Sequence, residues 1–526
     1  MTPFLKKSIR RVTLGALFLM PALTVFNGCT NLTEVPKDAL TPDNAFKTDQ
    51  EVVAGVASVY AGLRGTLWGY YNLSEITTDE LIVPTRGNDW YDNGRWLEIH
   101  KQTWTPNSGS ALDDMNGTWN TLFSGVAKAN LMIAVMNKSS AANKDLTLAE
   151  LRTLRAWYYY MLMDFFGGVP LVVTDSLGTN ASVARDSVFR FVERELNAVR
   201  TTLPVSWPAA YRGRVTRGAA DAMLASLYLN AQVYSGTVTA SGLTRGPARW
   251  ADAIAAADRV INSGQYSLAT DWKKNFSTDN HDSPEHIFWV AESSTPNLGM
   301  SIAMRGLHYN MLAPEPWNGF ATLAETYRAF DPADKRRDIF LVGPQKSYNT
   351  GAFVNDRAGK PLVFTDTIGD ATKAAENEGA RLVKFPPLAG APNGDSHPNN
   401  FPYFRLAEMY LIKAEALNEL GQTGLGIAQA NIVRERQFAT AKPINLGLDQ
   451  SAARTAILNE RLFELAGEAK RRQDLIRNGT YTAERRMCSA AIPGCIKAAT
   501  GAYRILFPIP ETQIQSNPRL KQNPGY

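Results

Sequence analysis

Apolar residues recur at helical spacing along several long segments of the chain. The first segment begins near residue 44, where apolar positions fall at i, i+3, i+4 and i+7, a pattern typical of an amphipathic helix. These positions are Ala45, Phe46, Val52, Val53, Val56, Val59, Tyr60 and Leu63. Thr48 and Asp49, with Glu51 behind them, form a local signal for a helix start. The pattern therefore predicts a helix over about 44–65.

Helical periodicity returns in later segments. They cover residues 146–166, 187–203, 216–234, 250–263, 404–420, 427–438 and 449–478, of which the last is one long helix or two in line. Segments 216–234 and 250–263 carry alanines where two helices would approach closely, and Gly421 provides the turn after 404–420. Helix pairs with small residues at the crossings are typical of tetratricopeptide-like repeats.

Long stretches without helical period separate these segments. Residues 73–118, 270–311 and 344–401 are rich in Gly, Pro, Asn and aromatic residues. Loops of this length inside a compact domain are usually functional. We therefore predict a mainly α fold in a single domain over 44–526. Its scaffold is tetratricopeptide-like helix pairs around 44–65, 146–263 and 404–478, and its loop-rich regions around 73–118 and 270–400, with a few short strands, carry the ligand surface.

The N-terminus has the features of an export signal. Basic residues precede an apolar run, Val12 to Phe26, that is shorter than the roughly 20 apolar residues of a membrane span. Gly28 and Cys29 follow, which resembles a bacterial lipobox. We predict that residues 1–28 are a lipoprotein signal peptide, that Cys29 is lipidated and that 29–43 form a tether. An ordinary secretory signal with an incidental cysteine is the alternative.

Composition and charge narrow the classes of function. The chain has 526 residues, of which 44% are hydrophobic and 20% charged, which excludes a disordered chain and a bundle of membrane spans. Its 55 Lys and Arg residues face 50 Asp and Glu residues. Four of the positive charges precede the apolar run and would leave with the signal peptide. Because no surplus of positive charge then remains, nucleic acid is not an expected partner.

Two cysteines remain once Cys29 is assigned to the anchor. Cys488 and Cys495 lie seven residues apart around the turn signal Ile492-Pro493-Gly494. In an oxidising compartment they can form a disulfide that closes a local hairpin. Two free thiols are the alternative.

A series of motifs runs through the chain in a fixed order. They are Arg155-Ala156-Trp157-Tyr158-Tyr159-Tyr160 leading into Phe166-Gly167-Gly168-Val169-Pro170-Leu171, Ala219 to Leu229, Phe404 to Ala416, Asn431 to Arg436, Glu460 to Glu468 with Arg471 and Asp474-Leu475, Pro508-Ile509-Pro510, and Gln522 to Tyr526. In this order the chain from Cys29 to Tyr526 resembles the SusD/RagB family of outer-membrane lipoproteins from Bacteroidetes-type bacteria. Two positions depart from the family pattern: Ala469 stands where Gly is common, and Arg472 where Trp is common.

The resemblance implies a fold, a location and a partner. Members are α-helical proteins built around tetratricopeptide-like pairs, and they are lipid-anchored in the outer membrane and face the exterior. They are not enzymes and need no cofactor. They capture nutrients, most often oligosaccharides, and pass them to a SusC-like TonB-dependent transporter. Because at least one branch looks built for peptides, peptide cargo is the alternative.

Sugar recognition requires exposed aromatic rings beside polar side chains, since rings cover the C–H face of a sugar and polar groups bond its hydroxyl rim. The loop from residue 86 to 96 interleaves these types, and its candidate ligand-binding residues are Arg86, Asp89, Trp90, Tyr91, Asp92 and Trp96. A second candidate segment contains Tyr309 and Trp317, and Tyr70-Tyr71 is a third. The alternative is that Trp90 and Trp96 fill the scaffold.

Other conspicuous residues are expected to be structural. Trp157 and the three tyrosines that follow it are predicted to be buried helix packing. A charged series at spacings of three and four predicts a ladder of ion pairs along one helix. It consists of Glu460, Arg461, Glu464, Glu468, Arg471, Asp474 and Arg477.

Catalytic and metal-binding motifs are missing from the sequence. The five His residues form no His-Glu-x-x-His pattern, and we predict no catalytic residue and no resident metal. Some family members hold a divalent cation near the ligand, for which Asp89, Asp92 or Asn93 are the available residues. A helical glycoside hydrolase, which needs two carboxylates, is the rival from another class. Its candidate acids are Asp79, Glu80, Asp113 and Asp114.

Overall fold

Helices dominate the structure, a computed structural model that describes residues 48–107, 109–175 and 178–526. Within these ranges the α-helices are α1 (Asp49–Glu75), α2 (Arg95–Lys101), α3 (Ala111–Lys138), α4 (Lys144–Phe166), α5 (Arg185–Val199), α6 (Arg217–Leu229), α7 (Ala231–Tyr234), α8 (Trp250–Ile261), α9 (Ile302–Gly306), α10 (Ala324–Ala329), α11 (Leu406–Glu419), α12 (Thr423–Arg434), α13 (Gln450–Leu465), α14 (Arg471–Arg477) and α15 (Glu511–Ser516).

Short strands in the connections between helices pair two by two. They are β1 (Leu81–Ile82), β2 (Thr237–Thr239), β3 (Gly242–Thr244), β4 (His286–Val290), β5 (Ala321–Thr322), β6 (Phe340–Leu341), β7 (Gly343–Pro344), β8 (Val363–Phe364), β9 (Arg381–Leu382), β10 (Phe401–Arg405), β11 (Arg485–Arg486) and β12 (Ile496–Lys497). The antiparallel pairs are β1 with β5, β2 with β3, β4 with β10, β6 with β9, β7 with β8 and β11 with β12. The prediction of a mainly α fold with few short strands is confirmed.

Helix α1 begins at the start signal of Thr48 and Asp49, five residues after the start near residue 44 that the apolar pattern predicts. The hydroxyl of Thr48 accepts a hydrogen bond from the backbone N–H of Glu51 (3.2 Å), and the Glu51 carboxylate accepts one from the Thr48 N–H (2.9 Å). This capping box satisfies two backbone donors that the helix itself cannot. Because the buried stripe continues past residue 65, the helix extends to Glu75. The stripe consists of Val52, Val56, Val59, Leu63, Leu67 and Tyr71.

Helix α3 corrects the prediction that residues 73–118 are irregular throughout. Its first turns, Ala111 to Thr118, lie inside that range, as do the end of α1 and all of α2. The first turns of α3 are polar and carry little apolar periodicity, so the helix is stabilised by packing against α1 and α4. Farther along α3, glycine permits close packing against α4, because a Cβ on Gly125 would lie 2.4 Å from the ring of Tyr158.

The predicted helix pairs are present. Helix α6 packs against α8, α11 against α12, and α8 against α11. At the second pair, a Cβ on Gly426 would lie 2.6 Å from the carbonyl oxygen of Ala414. Small residues therefore allow the helix backbones to approach closely. The alanines buried in α6 and α8 are Ala219, Ala220, Ala222, Ala225, Ala253, Ala256 and Ala257.

The segment predicted as a helix over 449–478 consists of two helices, α13 and α14. Between them the backbone enters the left-handed region at Gly467 (φ 75°) and Ala469 (φ 60°). Glycine adopts this conformation without steric cost, whereas alanine does not. Ala469 therefore adopts the left-handed conformation at a position where the SusD/RagB family, which the sequence resembles, often has Gly.

Charged residues of α13 and α14 are structural, but they do not form a ladder along one helix. Glu464 accepts hydrogen bonds from arginines of three other segments, Arg336 (3.0 Å), Arg405 (2.6 Å) and Arg436 (2.6 Å). We call the set to which these residues belong the buried charge network. It consists of Glu285, Arg336, Lys384, Arg405, Arg436, Glu460, Glu464 and Glu468. The network fastens loops and strand β10 to helix α13.

Cys488 and Cys495 form a disulfide bond, with their Cα atoms 4.8 Å apart. Strands β11 and β12 flank it on either side. The sulfur of Cys488 accepts a hydrogen bond from the backbone N–H of Ala371 (3.3 Å), and the Ala371 carbonyl accepts one from the N–H of Thr85 (2.9 Å). The disulfide hairpin is thereby connected to the start of the loop that carries residues 86–96.

The predicted signal peptide, the lipidated Cys29 and the tether lie outside the described residues. The described residues, which begin at Thr48, all lie within one compact unit. Among the helices that the structure describes, none combines the length and the apolar character needed to cross a bilayer.

Candidate functional site

The loop between β1 and α2 holds its aromatic side chains on a strained backbone. Arg86 and Asp89 exchange two backbone hydrogen bonds of 2.9 Å each, which close a tight turn. Beyond it, Trp90 (φ 62°), Asp92 (φ 39°) and Asn93 (φ 54°) have positive φ values. Such conformations cost non-glycine residues on the order of 1–3 kcal/mol each and concentrate at functional sites. The strain thus identifies this loop as a candidate site.

Trp90 is fixed in place despite its strained backbone. Its indole Nε1–H donates a hydrogen bond to the carbonyl oxygen of Trp317 (2.6 Å). The ring also covers Gly319, where a Cβ would lie only 2.3 Å from it, and its centroid is 5.3 Å from that of Trp96. Only glycine at residue 319 allows the half-buried ring to approach the backbone this closely.

Three tryptophans that remain partly exposed form a surface that we call the aromatic strip: Trp68, Trp90 and Trp317. Trp68, on α1, is 39% exposed, and its ring centroid lies 6.4 Å from that of Trp317. Two buried rings support the strip from below, Trp96 and Phe320, and each packs edge-on against Trp90. The strip is therefore a rigid platform of apolar faces.

A polar cluster borders the strip at the Trp90 end, and we call it the charged rim: Asp89, Tyr309, Arg357 and Glu376. The Tyr309 hydroxyl donates a hydrogen bond to Asp89 (2.5 Å), and the Arg357 guanidinium donates to the same carboxylate (3.0 Å). Arg357 also binds Glu376 and lies over the Tyr309 ring, 4.2 Å from its centroid. Charge-assisted hydrogen bonds of this kind are the stronger ones and also suit hydroxyl ligands.

The protonation of the rim follows from burial and contact. Burial raises the pKa of Tyr309, and its hydrogen bond to Asp89 raises it further, so the phenol remains a donor. Burial lowers the pKa of His308, and its contact with Glu376 (3.1 Å) offsets this only in part, so the imidazole is neutral at neutral pH. Hydrogen bonds from Arg357 and His308 lower the pKa of Glu376 although burial opposes them.

A second polar group borders the strip beside Trp68. Arg95 donates two hydrogen bonds of 2.6 Å to the carboxylate of Asp114, and the Trp68 indole N–H donates to it at 3.2 Å. The buried guanidinium of Arg305 lies 4.9 Å from the Trp68 ring centroid and donates to the Leu67 carbonyl (3.0 Å). Trp68 is thus held by polar contacts on its edge and by a cation behind it.

The structure places Asp89, Trp90, Tyr309 and Trp317 together, although they come from two distant segments. Tyr91 lies at the tip of the loop, 58% exposed, without a ring contact among the described residues. Asp92 is exposed and accepts a hydrogen bond from the Trp96 indole N–H (2.6 Å).

Two residues of the candidate set are corrected. Arg86 is 2% exposed and donates its guanidinium hydrogens to the carbonyls of Ala375 and Glu378, so it holds the loop in place from inside. Trp96 is also 2% exposed and supports the strip from below. Neither side chain presents a surface to a ligand.

Other aromatic predictions have mixed outcomes. The burial of Trp157 and of the tyrosines that follow it is confirmed. Tyr70 and Tyr71, the third candidate segment, are 1% and 2% exposed and belong to the core. Their burial follows from the apolar stripe of α1, which includes residues 67 and 71.

Sequence reasoning missed Trp68, Arg357 and Glu376. Trp68 follows the stripe residue Leu67 by one position and therefore points away from the core, a signal that helical periodicity contains. Arg357 and Glu376 lie in loops without period, and only the three-dimensional structure brings them to Asp89.

Carboxylates near the site are engaged by protein donors. Asp89 binds Tyr309 and Arg357, and Asp92 binds Trp96. Across the part of the chain that the structure describes, no group of three or more His, Cys, Asp or Glu side chains could hold a metal ion.

The fold and the site together define a class: a scaffold of paired helices that presents one irregular, aromatic-lined face. Comparison with protein families assigns the chain within it. A family model described as "SusD family" matches residues 262–526, and one described as "Starch-binding associating with outer membrane" matches residues 40–229. The chain belongs to the SusD family.

Relatives align over most of their length. SusD-like protein P25 of Formosa agariphila is 24% identical, over 94% of this chain and 96% of the relative. Starch-binding protein SusD of Bacteroides thetaiotaomicron is 25% identical, over 87% of this chain and 85% of the relative. Among solved structures, surface glycan-binding protein A from B. thetaiotaomicron in complex with laminarihexaose superposes with a TM-score of 0.69, at 20% identity, over 91% of this chain and all of the other. A laminarin-binding SusD-like protein gives 0.70, at 22% identity, with the same coverage.

Proposed function

We propose that this protein is the non-enzymatic glycan-binding subunit of an outer-membrane uptake complex. It is anchored by lipid at Cys29, faces the exterior, captures oligosaccharide and delivers it to a SusC-like TonB-dependent transporter. The observation that carries the proposal is the aromatic strip beside the charged rim. The names of the relatives, which include starch- and laminarin-binding proteins, support it.

The geometry suits the two faces of a sugar. Trp68, Trp90 and Trp317 offer flat apolar rings to the C–H faces of successive sugar units. Asp89 and Arg357 stand beside the rings and offer acceptors and donors to the hydroxyl rim. Because the platform is preformed and open, binding needs little reorganisation and release to a transporter stays fast.

Three of the four candidate acids of a hydrolase, Asp79, Glu80 and Asp114, are engaged by the protein itself, whereas Asp113 is exposed. Asp79 is held by two hydrogen bonds of 2.7 Å from Arg471, and Asp114 by two from Arg95. Glu80 is buried and accepts a hydrogen bond from the backbone N–H of Gly467 (3.0 Å). Carboxylates that serve as structural acceptors are poorly placed to act as acid and base on a glycosidic bond.

A binding experiment with one strip variant tests the proposal. The full chain is titrated with laminarihexaose, with a malto-oligosaccharide and with a peptide library. We expect one glycan class to bind and Trp317→Ala to weaken its affinity by about tenfold or more, since a central tryptophan is a typical hot spot. Trp250→Ala, at a half-exposed tryptophan on α8, is the matched control and should leave affinity unchanged.

The alternatives have distinct outcomes in the same experiment. Peptide binding that is not displaced by glycan would show that the cargo is peptide. Release of reducing ends from the glycan would indicate a hydrolase. The transporter is tested by purifying the tagged full chain from outer membranes. A TonB-dependent transporter should co-purify in equal amount, and a chain that purifies alone contradicts that part of the proposal.

A further inference from the structure

A second aromatic pocket lies far from the strip in the sequence and shares no residue with it. It is formed by the α5–α6 connection, the turn after α8 and the start of β4, and it encloses about 220 Å³. Its lining includes Trp207, Arg212, Gly213, Tyr266, His281 and Trp289. The pocket therefore lies between the helix-pair scaffold and the first part of the loop-rich region 270–400.

Trp289 is the residue that distinguishes this pocket from a crevice between helices. It is the only residue of β4 that is not buried, so an otherwise internal strand turns one indole outward. No hydrogen-bond partner for its Nε1–H is found within the described residues, whereas Trp207 donates to the Val215 carbonyl (2.9 Å). A half-exposed indole with an unused donor is equipped to bind a polar ligand.

The backbone of Gly213 shapes the pocket beside that indole. Its φ of 97° lies in the region that favours glycine. A Cβ there would contact the Trp289 ring, 3.6 Å from Nε1. Glycine thus keeps the indole edge open.

The rim of the pocket is polar, and its charges are paired except for that of Arg212. Arg214 lies over the Trp207 ring (4.0 Å) and is neutralised by the carboxylate of Glu150. Arg212, whose guanidinium makes a 3.4 Å contact with the His281 carbonyl, remains exposed, and Asp282 on the same rim forms an ion pair with Lys274 (3.3 Å). One unpaired arginine is little surplus charge for a phosphate or carboxylate, whereas the mixed donors and acceptors of this rim suit hydroxyl groups.

We propose that this pocket binds a single pyranose ring of a neutral glycan and is a second glycan site, independent of the aromatic strip. Its volume is below the roughly 300–1,000 Å³ that is typical of a pocket for a drug-sized ligand, and it accommodates one sugar ring. The sugar ring stacks on one of the two indoles of the pocket, and its hydroxyls form hydrogen bonds with the Trp289 Nε1–H, Arg212 and Asp282. The proposal names the same chemical class of ligand as the proposed function, but it depends on different residues.

Two glycan sites on one chain have a measurable consequence. A polysaccharide long enough to reach both would bind the second site intramolecularly, at high effective concentration. The chain would then retain long glycans more strongly than short ones.

Fluorine NMR on the full chain labelled with 5-fluorotryptophan tests the pocket directly. The sequence contains 11 Trp residues, all within the described ranges, and Trp289→Phe assigns the resonance of Trp289. D-glucose, D-galactose, D-mannose and D-xylose are the probes. Sorbitol, which has similar hydroxyls but no ring, is the matched control ligand. We expect at least one pyranose, and not sorbitol, to shift the Trp289 resonance in a saturable manner.

Two variants make the outcome decisive. Arg212→Ala, at an exposed position that should leave the fold intact, should weaken the saturable shift severalfold, and Trp317→Ala should leave it unchanged. No shift with any of the four sugars, or a shift that disappears in Trp317→Ala, overturns the proposal. A Trp289 shift in a protein whose strip binds no oligosaccharide would instead refute the proposed function and leave the second site standing.

Discussion

Two regions of the molecule use the same pair of groups, an arginine and a carboxylate, in opposite environments. In the buried charge network, the side chains of Arg405 and Glu464 are 1% and 0% exposed. In the charged rim, those of Arg357 and Asp89 are 49% and 39% exposed. The distances are similar, 2.6 Å and 3.0 Å, so geometry alone does not distinguish them.

Burial decides what each region can do. Removing one member of a buried pair leaves a charge in a medium of low polarity, at a cost of several kcal/mol, so the network is confined to holding the fold together. An exposed pair contributes about 0–1 kcal/mol because water competes for both partners. The rim can therefore exchange a protein partner for a ligand hydroxyl at little cost.

We expect the largest loss of stability when Glu464, at the centre of the buried charge network, is changed. Glu464→Gln removes a charge that three arginines share, and we expect the free energy of unfolding to fall by about 3–5 kcal/mol. Urea denaturation measures it. The matched control is Glu419→Gln, which breaks the Arg454–Glu419 pair (2.6 Å), whose side chains are 39% and 20% exposed. A Glu464→Gln effect no larger than that of the control would contradict the structural role of the network.

The carboxylate of Glu292 is intermediate between the buried charge network and the charged rim, and the pH dependence of stability tests its role. Glu292 has a side chain that is 1% exposed, and it forms an ion pair of 3.3 Å with Arg64. Burial raises the pKa of Glu292 to about 8, and Arg64 only partly opposes this. Because the folded protein binds this proton more tightly than the unfolded chain does, ionisation above the unfolded pKa of about 4.5 favours unfolding.

The expected result for Glu292→Gln follows from that sign. Stability of the wild type relative to the variant should decline as pH rises from about 4.5 to about 8 and should level off above it. The variant should then be more stable by about 1–3 kcal/mol, the cost of a buried polar group whose needs are incompletely met. Melting curves across this range measure the difference, with Glu325→Gln at an exposed site as control. A difference independent of pH would show that the Arg64 pair keeps Glu292 ionised throughout.

Periodicity in the sequence predicted most of the scaffold, because apolar stripes such as that of α1 reflect burial directly. It assigned no helix to α3 (Ala111–Lys138), whose first turns, 111–118, carry little apolar pattern and are stabilised by packing. It also predicted ion pairs along one helix, whereas Glu464 bonds to arginines distant in sequence. Tertiary contacts of this kind leave no local pattern.

The site was predictable only in its aromatic part. Trp90 and Trp317 are conspicuous because they stand in irregular loops beside polar residues. Composition could not reveal that Trp96 and Arg86 of the same loop point inward, since the chain reverses there through positive φ values. Arg357 is set apart from Asp89 by 268 positions and had no signal at all.

The smallest effect on stability is expected for a change at Arg357, which lies at the proposed ligand site. Arg357→Ala removes the cation that joins Asp89, Glu376 and the Tyr309 ring. Because the side chain is half exposed, we expect unfolding free energy to change by less than about 1 kcal/mol. Glycan affinity should nevertheless fall about tenfold, or roughly 1.4 kcal/mol, if a ligand hydroxyl takes a hydrogen bond from this guanidinium. Calorimetric titration and urea denaturation of the same preparation separate the two quantities, with Arg454→Ala as the control at an exposed pair outside the rim. Unchanged affinity would remove the rim from the ligand site, whereas a large loss of stability would show that it supports the fold as the buried network does.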